Sequence, residues 1–192
     1  MLKWLKRKKE GTGDFIIPIF LILFCVIVLI YQYDMKILYV TKTHVEDSIA
    51  ASTLASACID VYNYEEFYES SKTIINTCYS IFVDELKDNM KLNDDLTPQS
   101  PSVNDFMIRN RVVIEEFSYY RIYEDGIYKT TKDGEINEYL GALGTVASRD
   151  GNIIVTQTLY SRIGVYIENP ITHEIQYVTK DFTVDITVNE RE

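Results

Sequence analysis

The chain has 192 residues, of which 46% are hydrophobic and 25% are charged, and its formal net charge is −10. This apolar fraction excludes a disordered chain, and three cysteines are too few for a disulfide-built small fold. Residues 1–10 carry five basic residues and one acidic residue, whereas residues 34–192 carry 14 basic and 27 acidic residues, a charge of −13. An acidic body repels nucleic-acid backbones, so we expect no nucleic-acid partner.

The N-terminal region predicts a retained transmembrane helix over residues 14–33, after a basic cytoplasmic leader at residues 1–13. Uncharged residues run from Phe15 to Tyr33, and a helix of this length spans about 28 Å, the thickness of a bilayer core. A buried soluble helix is seldom so free of polar residues, and no small-residue cleavage site of a signal peptide follows the apolar stretch. The basic leader predicts a cytoplasmic N-terminus and an extracytoplasmic C-terminal domain. We therefore expect a single-pass protein of the cell membrane, with the lipid bilayer as a partner.

Beyond the membrane, the sequence predicts an extracytoplasmic helical hairpin over residues 34–92. Apolar residues recur at helical spacing up to about Asp60 and again over residues 65–92, with a break between. A run of small residues near the end of the first helix permits close approach of a neighbouring helix, within the hairpin or between subunits. Four residues form this predicted helix-packing face: Ala50, Ala51, Leu54 and Ala57.

The C-terminal part predicts an antiparallel β domain over residues 111–192, joined to the hairpin by a linker loop at residues 93–110. From Arg111 onward, β-branched and aromatic residues alternate with polar ones, and Asp-Gly pairs mark turns. The expected strands cover residues 112–124, 127–131, 152–168 (one or two strands) and 174–188, the last either continuous or interrupted at Lys180-Asp181. The predicted fold class is α+β: a long N-terminal transmembrane helix and a helical hairpin, followed by a sheet of four to six strands.

The sequence shows no pattern that predicts a reaction. His44 and His173 are far apart in the chain, so we expect no metal site. Asp150 and Asn152 fit turn residues better than a calcium loop, and adjacent strand residues such as Glu115 and Glu116 point to opposite faces. We expect no catalytic residue, no cofactor and no enzymatic activity.

Two further features leave alternatives open. Cys58 and Cys78 both follow the membrane segment, where a disulfide can form. A hairpin turn near Asn63 offsets them by roughly 15 Å of helix, whereas a turn near Tyr68 brings them level; we favour two buried thiols. The 15 tyrosines fit either a sugar-binding face or half-exposed strand residues, and we favour the second interpretation.

A short motif opens the apolar helix. The basic leader is followed by Gly11-Thr12-Gly13-Asp14-Phe15, and Pro18 comes soon after. This pattern resembles the N-terminus of pilin-like proteins, in particular the TadE-like pseudopilins of tight-adherence (Flp) pilus systems, which have a basic stretch, a Gly, a Glu-Phe pair and then a Pro. Gly11 or Gly13 corresponds to the Gly, Asp14-Phe15 to the pair, and Pro18 to the proline. The resemblance covers about residues 6–60.

The resemblance implies a pilin-like fold, with a helical spine before an antiparallel sheet, and a structural role as a minor pseudopilin of a pilus or secretion-like machine. The implied partners are other pilin-like subunits or assembly-platform proteins, and a prepilin peptidase that cuts after Gly11 or Gly13. Asp14 would pair with a neighbouring subunit's N-terminal amine or cap its own helix. Two alternatives stay open: an uncleaved, permanently anchored assembly factor, and a membrane-anchored extracytoplasmic binding or sensing module.

Overall fold

The computed structural model describes residues 3–57, 71–99, 107–134 and 136–186. Two helices and five strands follow one another in these ranges: α1 (Lys3–Ala57), α2 (Ser71–Met90), β1 (Ile108–Tyr123), β2 (Gly126–Thr131), β3 (Glu138–Gly141), β4 (Thr158–Glu168) and β5 (Ile175–Asp185). The strands form one antiparallel sheet in the order β3-β2-β1-β4-β5. The predicted α+β arrangement, with a long apolar N-terminal helix and an antiparallel sheet of four to six strands, is confirmed.

Helix α1 is continuous over 55 residues, about 80 Å. Pro18 lies inside it without ending it, close to the start of the uncharged stretch. The apolar side chains of its first part are exposed, whereas its last part, from Thr41 onward, packs into the domain. One helix therefore joins a protruding apolar segment to the folded domain with no hinge between them.

The main hydrophobic core lies between one face of the sheet and the two helices. Helix α2 contributes Phe82, Leu86 and Met90, which follow one another at four-residue spacing and are fully buried. The Phe82 ring packs against the Phe117 ring of β1, with 5.1 Å between the ring centroids. Leu159, Ile163 and Val165 complete the same core from β4, in keeping with the period-two alternation of that strand.

The contact between α1 and the sheet carries buried hydroxyl groups at its centre. Ser52, Thr53 and Ser56 of α1 are buried, and each donates a hydrogen bond to a backbone carbonyl three or four residues earlier in the helix. Thr53 Oγ1 also lies 2.6 Å from Ser161 Oγ of β4. Because these hydroxyls have partners inside the helix, their burial costs little, and their small size lets α1 lie close to β4.

A second, smaller core lies on the opposite face of the sheet, called here the outer face. Tyr120 and Tyr160 stand on this face and are covered by the segment between β3 and β4. In that segment the backbone N of Ile154 donates to the carbonyl of Val146 at 2.9 Å, and both side chains join the small core. The sheet is thus covered by helices on one face and by a loop on part of the other.

Strand β5 runs without interruption through Lys180 and Asp181, so of the two alternatives the continuous strand is confirmed and the interruption is wrong. The two charged residues point to opposite faces, and each has an ionic partner on its own face. Lys180 pairs with Glu46 of α1, and Asp181 lies 3.8 Å from Arg162 of β4. Charged residues can stand inside a strand when each one is paired with an opposite charge. The sequence alone does not reveal which residues form such pairs.

The stretch predicted as a linker loop, residues 93–110, is in part folded onto the domain. Leu92 and Leu96 are buried in the main core, and the backbone N of Val112 donates to the carbonyl of Leu96 at 2.9 Å. Strand β1 begins at Ile108, before the predicted start of the strand at 112. Helix α2 covers the second predicted helix from Ser71 onward, whereas the predicted break near 61–65 lies outside the described residues.

We predict that Phe82→Ala lowers the free energy of unfolding by about 3–5 kcal/mol, because it leaves a cavity against Phe117. Ile81→Ala, at the next position of α2 but 36% exposed, should cost less than about 1 kcal/mol. Denaturant unfolding in detergent micelles, followed by near-UV circular dichroism, measures both. Equal losses in the two variants would contradict the described packing face of α2.

Candidate functional site

The apolar segment of α1, residues 16–33, forms a continuous exposed apolar surface. Its side chains are about half to two-thirds exposed, as at Ile17, Phe20, Phe24 and Leu29. Among the described residues, the part of α1 from Ile16 to Ala57 contains the one stretch that is long and apolar enough to cross a membrane. Exposed apolar surface of this extent is unfavourable in water, so a lipid bilayer or other helices must cover it.

The residues of the leader motif lie in α1, so their backbone is helical. Gly11, Gly13, Asp14 and Phe15 belong to the stretch in which the backbone alone is described. Pro18, a few residues further on, is exposed inside the helix. The motif therefore precedes the exposed apolar segment on the same continuous helix.

The predicted helix-packing face of α1 is divided by the structure. Ala57 is buried in the main core, and Ala50 is half-buried. Ala51 and Leu54 are exposed, because α1 turns its serines and threonines toward α2 and the sheet. Within this chain the contact face is thus the hydroxyl-bearing one, and Ala51 and Leu54 remain open to a neighbouring helix.

Cys78 is a buried free thiol of α2 in the main core. Burial raises its pKa to about 12, so the thiol stays protonated and unreactive at neutral pH. Cys58, its predicted alternative partner, lies outside the described residues.

A β-bulge in β1 brings two carboxylates to the outer face of the sheet. The register of β1 against β4 shifts between Ile114 and Glu116, so Glu115 and Glu116 share the outer face and do not point to opposite faces as the sequence predicts. Glu115 lies 2.6 Å from Arg162 and accepts a hydrogen bond from the Tyr177 hydroxyl at 2.5 Å. Alternation alone cannot locate a bulge, so the sequence does not reveal that these two carboxylates share one face.

Glu116 is the most enclosed carboxylate of this outer-face cluster, with a side chain 15% exposed. Lys129 of β2 lies 2.6 Å from it, Arg149 lies 3.7 Å from it, and Ser118 donates a hydrogen bond at 2.8 Å. Arg162, the partner of Glu115, also donates to Thr179 of β5 at 3.0 Å. These charged contacts tie β2, β1, β4 and β5 together across the outer face.

The cluster holds its carboxylates ionised. Burial opposes the charge of Glu116, but hydrogen bonds from Lys129 and Ser118 outweigh it and lower its pKa. The pKa of Glu115 is lowered chiefly by the hydrogen bond from Tyr177, with Arg162 adding to the effect. The same environment raises the Tyr177 pKa to about 12, because its hydroxyl donates to Glu115. The arrangement therefore suits fixed ion pairs between strands.

The outer face also carries Asp150 and Asn152, which the sequence predicts to be turn residues. The Asp150 carboxylate accepts a hydrogen bond from the Asn152 amide at 2.8 Å and another from the Thr183 hydroxyl of β5. These hydrogen bonds hold the turn that contains Asp150 and Asn152 against strand β5 of the sheet. Among the described residues, no three His, Cys, Asp or Glu side chains come together in a group that could hold a metal ion.

Comparison with known proteins gives no family for this chain. No protein-family model matches it, and neither the curated proteins nor the solved structures contain a significant match.

We predict that Glu116→Gln lowers the free energy of unfolding at pH 7 by about 1–3 kcal/mol, because Lys129 loses its charged partner. The pKa of Glu116 is lowered in the folded state, so its contribution is full above its unfolded pKa near 4.5 and is lost as the pH falls through the folded value. The difference in melting temperature between the wild type and the variant should therefore shrink as the pH falls from 4.5 toward 3. Glu85→Gln, on the exposed face of α2, is the control; curves that stay parallel down to pH 3 would contradict the role given to Glu116.

We predict opposite effects for the same substitution at two alanines of α1. Ala57→Leu should overpack the main core and cost about 1–3 kcal/mol of stability. Ala51→Leu adds a side chain to an exposed position and should leave the unfolding curve of the isolated chain unchanged. Denaturant unfolding measures both variants, and a destabilised Ala51→Leu variant would show that this face already packs within the chain.

Proposed function

We propose that this protein is a non-enzymatic, membrane-anchored assembly protein, a minor pilin-like subunit of a pilus or secretion-like machine. The observation that carries the proposal is the division of α1 into an exposed apolar segment and a packed segment on one unbroken helix. A rigid helix of this kind holds a β domain at fixed height above a membrane or along a bundle of like helices. The N-terminal motif from Gly11 to Pro18 supports the same assignment through its resemblance to TadE-like pseudopilins.

The proposed topology places the leader in the cytoplasm and the β domain outside. The five basic residues before the apolar segment support this orientation by the positive-inside rule. Tyr31 and Tyr33, both exposed at the end of the segment, suit the interfacial layer where aromatic side chains concentrate.

The proposed partners are other pilin-like subunits or assembly-platform proteins, which would cover the exposed face of α1. Ala51 and Leu54 extend this exposed face upward beyond the apolar segment, on the side of α1 turned away from α2. Small side chains at such a position allow two helices to approach closely. In this proposal the helix contacts between subunits begin in the membrane and continue beside the domain.

A second candidate function is a membrane-anchored extracytoplasmic binding module. Three tyrosines near the β1–β2 hairpin favour it: Tyr123, Tyr128 and Tyr139 pack edge to face, with centroids 5.2 and 5.3 Å apart. Arg121 lies 4.8 Å from the Tyr123 ring centroid. Partly exposed aromatic rings of this kind can stack on a sugar or a peptide.

Photocrosslinking in native membranes tests the assembly proposal. A photoreactive amino acid at Phe24 should form adducts with a second copy or with another pilin-like subunit, and Ala51→Leu in the same chain should reduce their yield several-fold. The matched control places the reactive group at Leu143, an exposed residue beyond the sheet. Lipid adducts alone at Phe24, unaffected by Ala51→Leu, would favour the binding module.

The intact mass of the crosslinked and free protein identifies the form that assembles. A chain shortened by 11 or 13 residues indicates cleavage after Gly11 or Gly13 and supports a filament subunit. A mass near 22.3 kDa indicates a permanently anchored assembly factor. A cut beyond Ile30 would contradict both forms, since it removes the apolar segment.

A further inference from the structure

Contacts of α1 with β1 and β4 fix the height of the sheet above the apolar segment. Thr53 meets Ser161 of β4 at 2.6 Å, and Thr41 Oγ1 accepts a hydrogen bond from the backbone N of Met107 at 3.4 Å. The carbonyl of Met107 in turn accepts from the backbone N of Glu168, the last residue of β4, at 2.8 Å. Strand β4 therefore runs from the level of Thr53 back toward the membrane and ends beside the level of Thr41.

The turn between β4 and β5, residues 169–174, continues in this direction. Thr41 stands eight residues after Tyr33 in the sequence, a rise of about 12 Å. Beyond Glu168 only Asn169 continues the strand, by about 3 Å, because residues 170–172 turn the chain back and add only a few Å more. The tip of the turn therefore stands roughly 5–8 Å above the level of Tyr33. The headgroup layer on each side of a bilayer core is roughly 5–7 Å thick. The tip thus reaches the outer edge of this layer.

The turn is held in shape by its own hydrogen bonds. Asn169 Oδ1 accepts from the backbone N of Ile171 at 2.9 Å and of Thr172 at 3.3 Å, and the backbone N of His173 donates to the Asn169 carbonyl at 2.8 Å. The His173 ring meets Glu168 at 2.9 Å. With its backbone fixed, the turn presents its tip in one direction.

The tip carries an exposed isoleucine beside three exposed polar residues, Thr172, His173 and Glu174. Ile171 follows Pro170 and is 45% exposed, and Ile175 at the start of β5 is 51% exposed. Lys36 of α1, three residues beyond the apolar segment, is exposed at the same level and can meet lipid phosphates. Apolar side chains flanked by polar turn atoms and a lysine match the boundary between acyl chains and headgroups.

We propose that the 169–174 turn inserts Ile171 into the headgroup layer of the bilayer that α1 spans, as a second membrane contact of the β domain. This inference rests on the proposed membrane anchoring. The domain is then held against the lipid surface at two points, which fixes its rotation about the α1 axis. The opposite end of the sheet, with the exposed Leu143 after β3, faces away from the membrane.

Single-tryptophan fluorescence in lipid vesicles tests this contact in the full chain. Trp4 is the one tryptophan of the sequence, so Trp4→Phe gives a silent background. Three variants are made in it: Ile171→Trp in the turn, Leu143→Trp at the far end of the sheet, and Ile22→Trp in the apolar segment. All three positions are exposed, so the added ring fits without repacking the core. The quenchers are phosphatidylcholines brominated near the headgroup end or near the middle of the acyl chain.

We expect Ile171→Trp to be quenched at least threefold more than Leu143→Trp, most strongly by the shallow bromines, and its emission to shift to shorter wavelength. Quenching of Ile171→Trp no greater than that of Leu143→Trp, with Ile22→Trp strongly quenched by deep bromines, would overturn the turn contact and leave the membrane anchor intact. An emission shift without bromine quenching would assign the turn to a protein neighbour and overturn the contact as well. An unquenched Ile22→Trp would overturn the anchoring itself.

Discussion

The continuity of α1 is the constraint on which the other features of this protein depend. In a helix without a break, the number of residues between the apolar segment and the domain sets the height and the rotation of the domain. Each added residue raises the domain by about 1.5 Å and rotates it by about 100°. The contact between Thr53 and Ser161 and that between Thr41 and Met107 lock the sheet to this helix at two levels. The orientation of the sheet relative to the membrane segment is therefore set inside the chain, before any partner binds.

The way in which α1 packs leaves one of its sides exposed. Its buried side uses Ser52, Thr53 and Ser56, whose hydroxyls each donate a hydrogen bond to the helix backbone. The alanine-rich side is then left partly open, with Ala51 exposed. A helix that packs its domain with small polar residues leaves its apolar and small residues exposed on its other side.

The outer face of the sheet is stabilised in a different way. No helix covers it in the described part of the chain, and its middle is closed by ion pairs around Glu115, Glu116 and Arg162 together with a loop over Tyr120 and Tyr160. Each carboxylate of that pair meets a cation of a neighbouring strand, so the charges fasten the strands while staying in contact with water. The acidic excess of the chain thus coexists with a well-connected sheet, since the acids in its middle are paired across strands.

The sequence by itself determined the features that depend on local periodicity and composition. The uncharged stretch ending at Tyr33 predicted the apolar helix, and the helical spacing of apolar residues around Phe82 predicted α2. Period-two alternation with Asp-Gly pairs predicted most of the strands. Tertiary structure alone decided three other points. The hydroxyl side of α1 faces the sheet, because hydroxyls that are hydrogen-bonded within a helix cost little free energy to bury. A β-bulge brings Glu115 and Glu116 to one face of the sheet. Strand β5 continues through Lys180 and Asp181 because each charge has a partner of opposite sign. Each of these depends on contacts between residues distant in the chain, for which a single sequence carries no periodic signal.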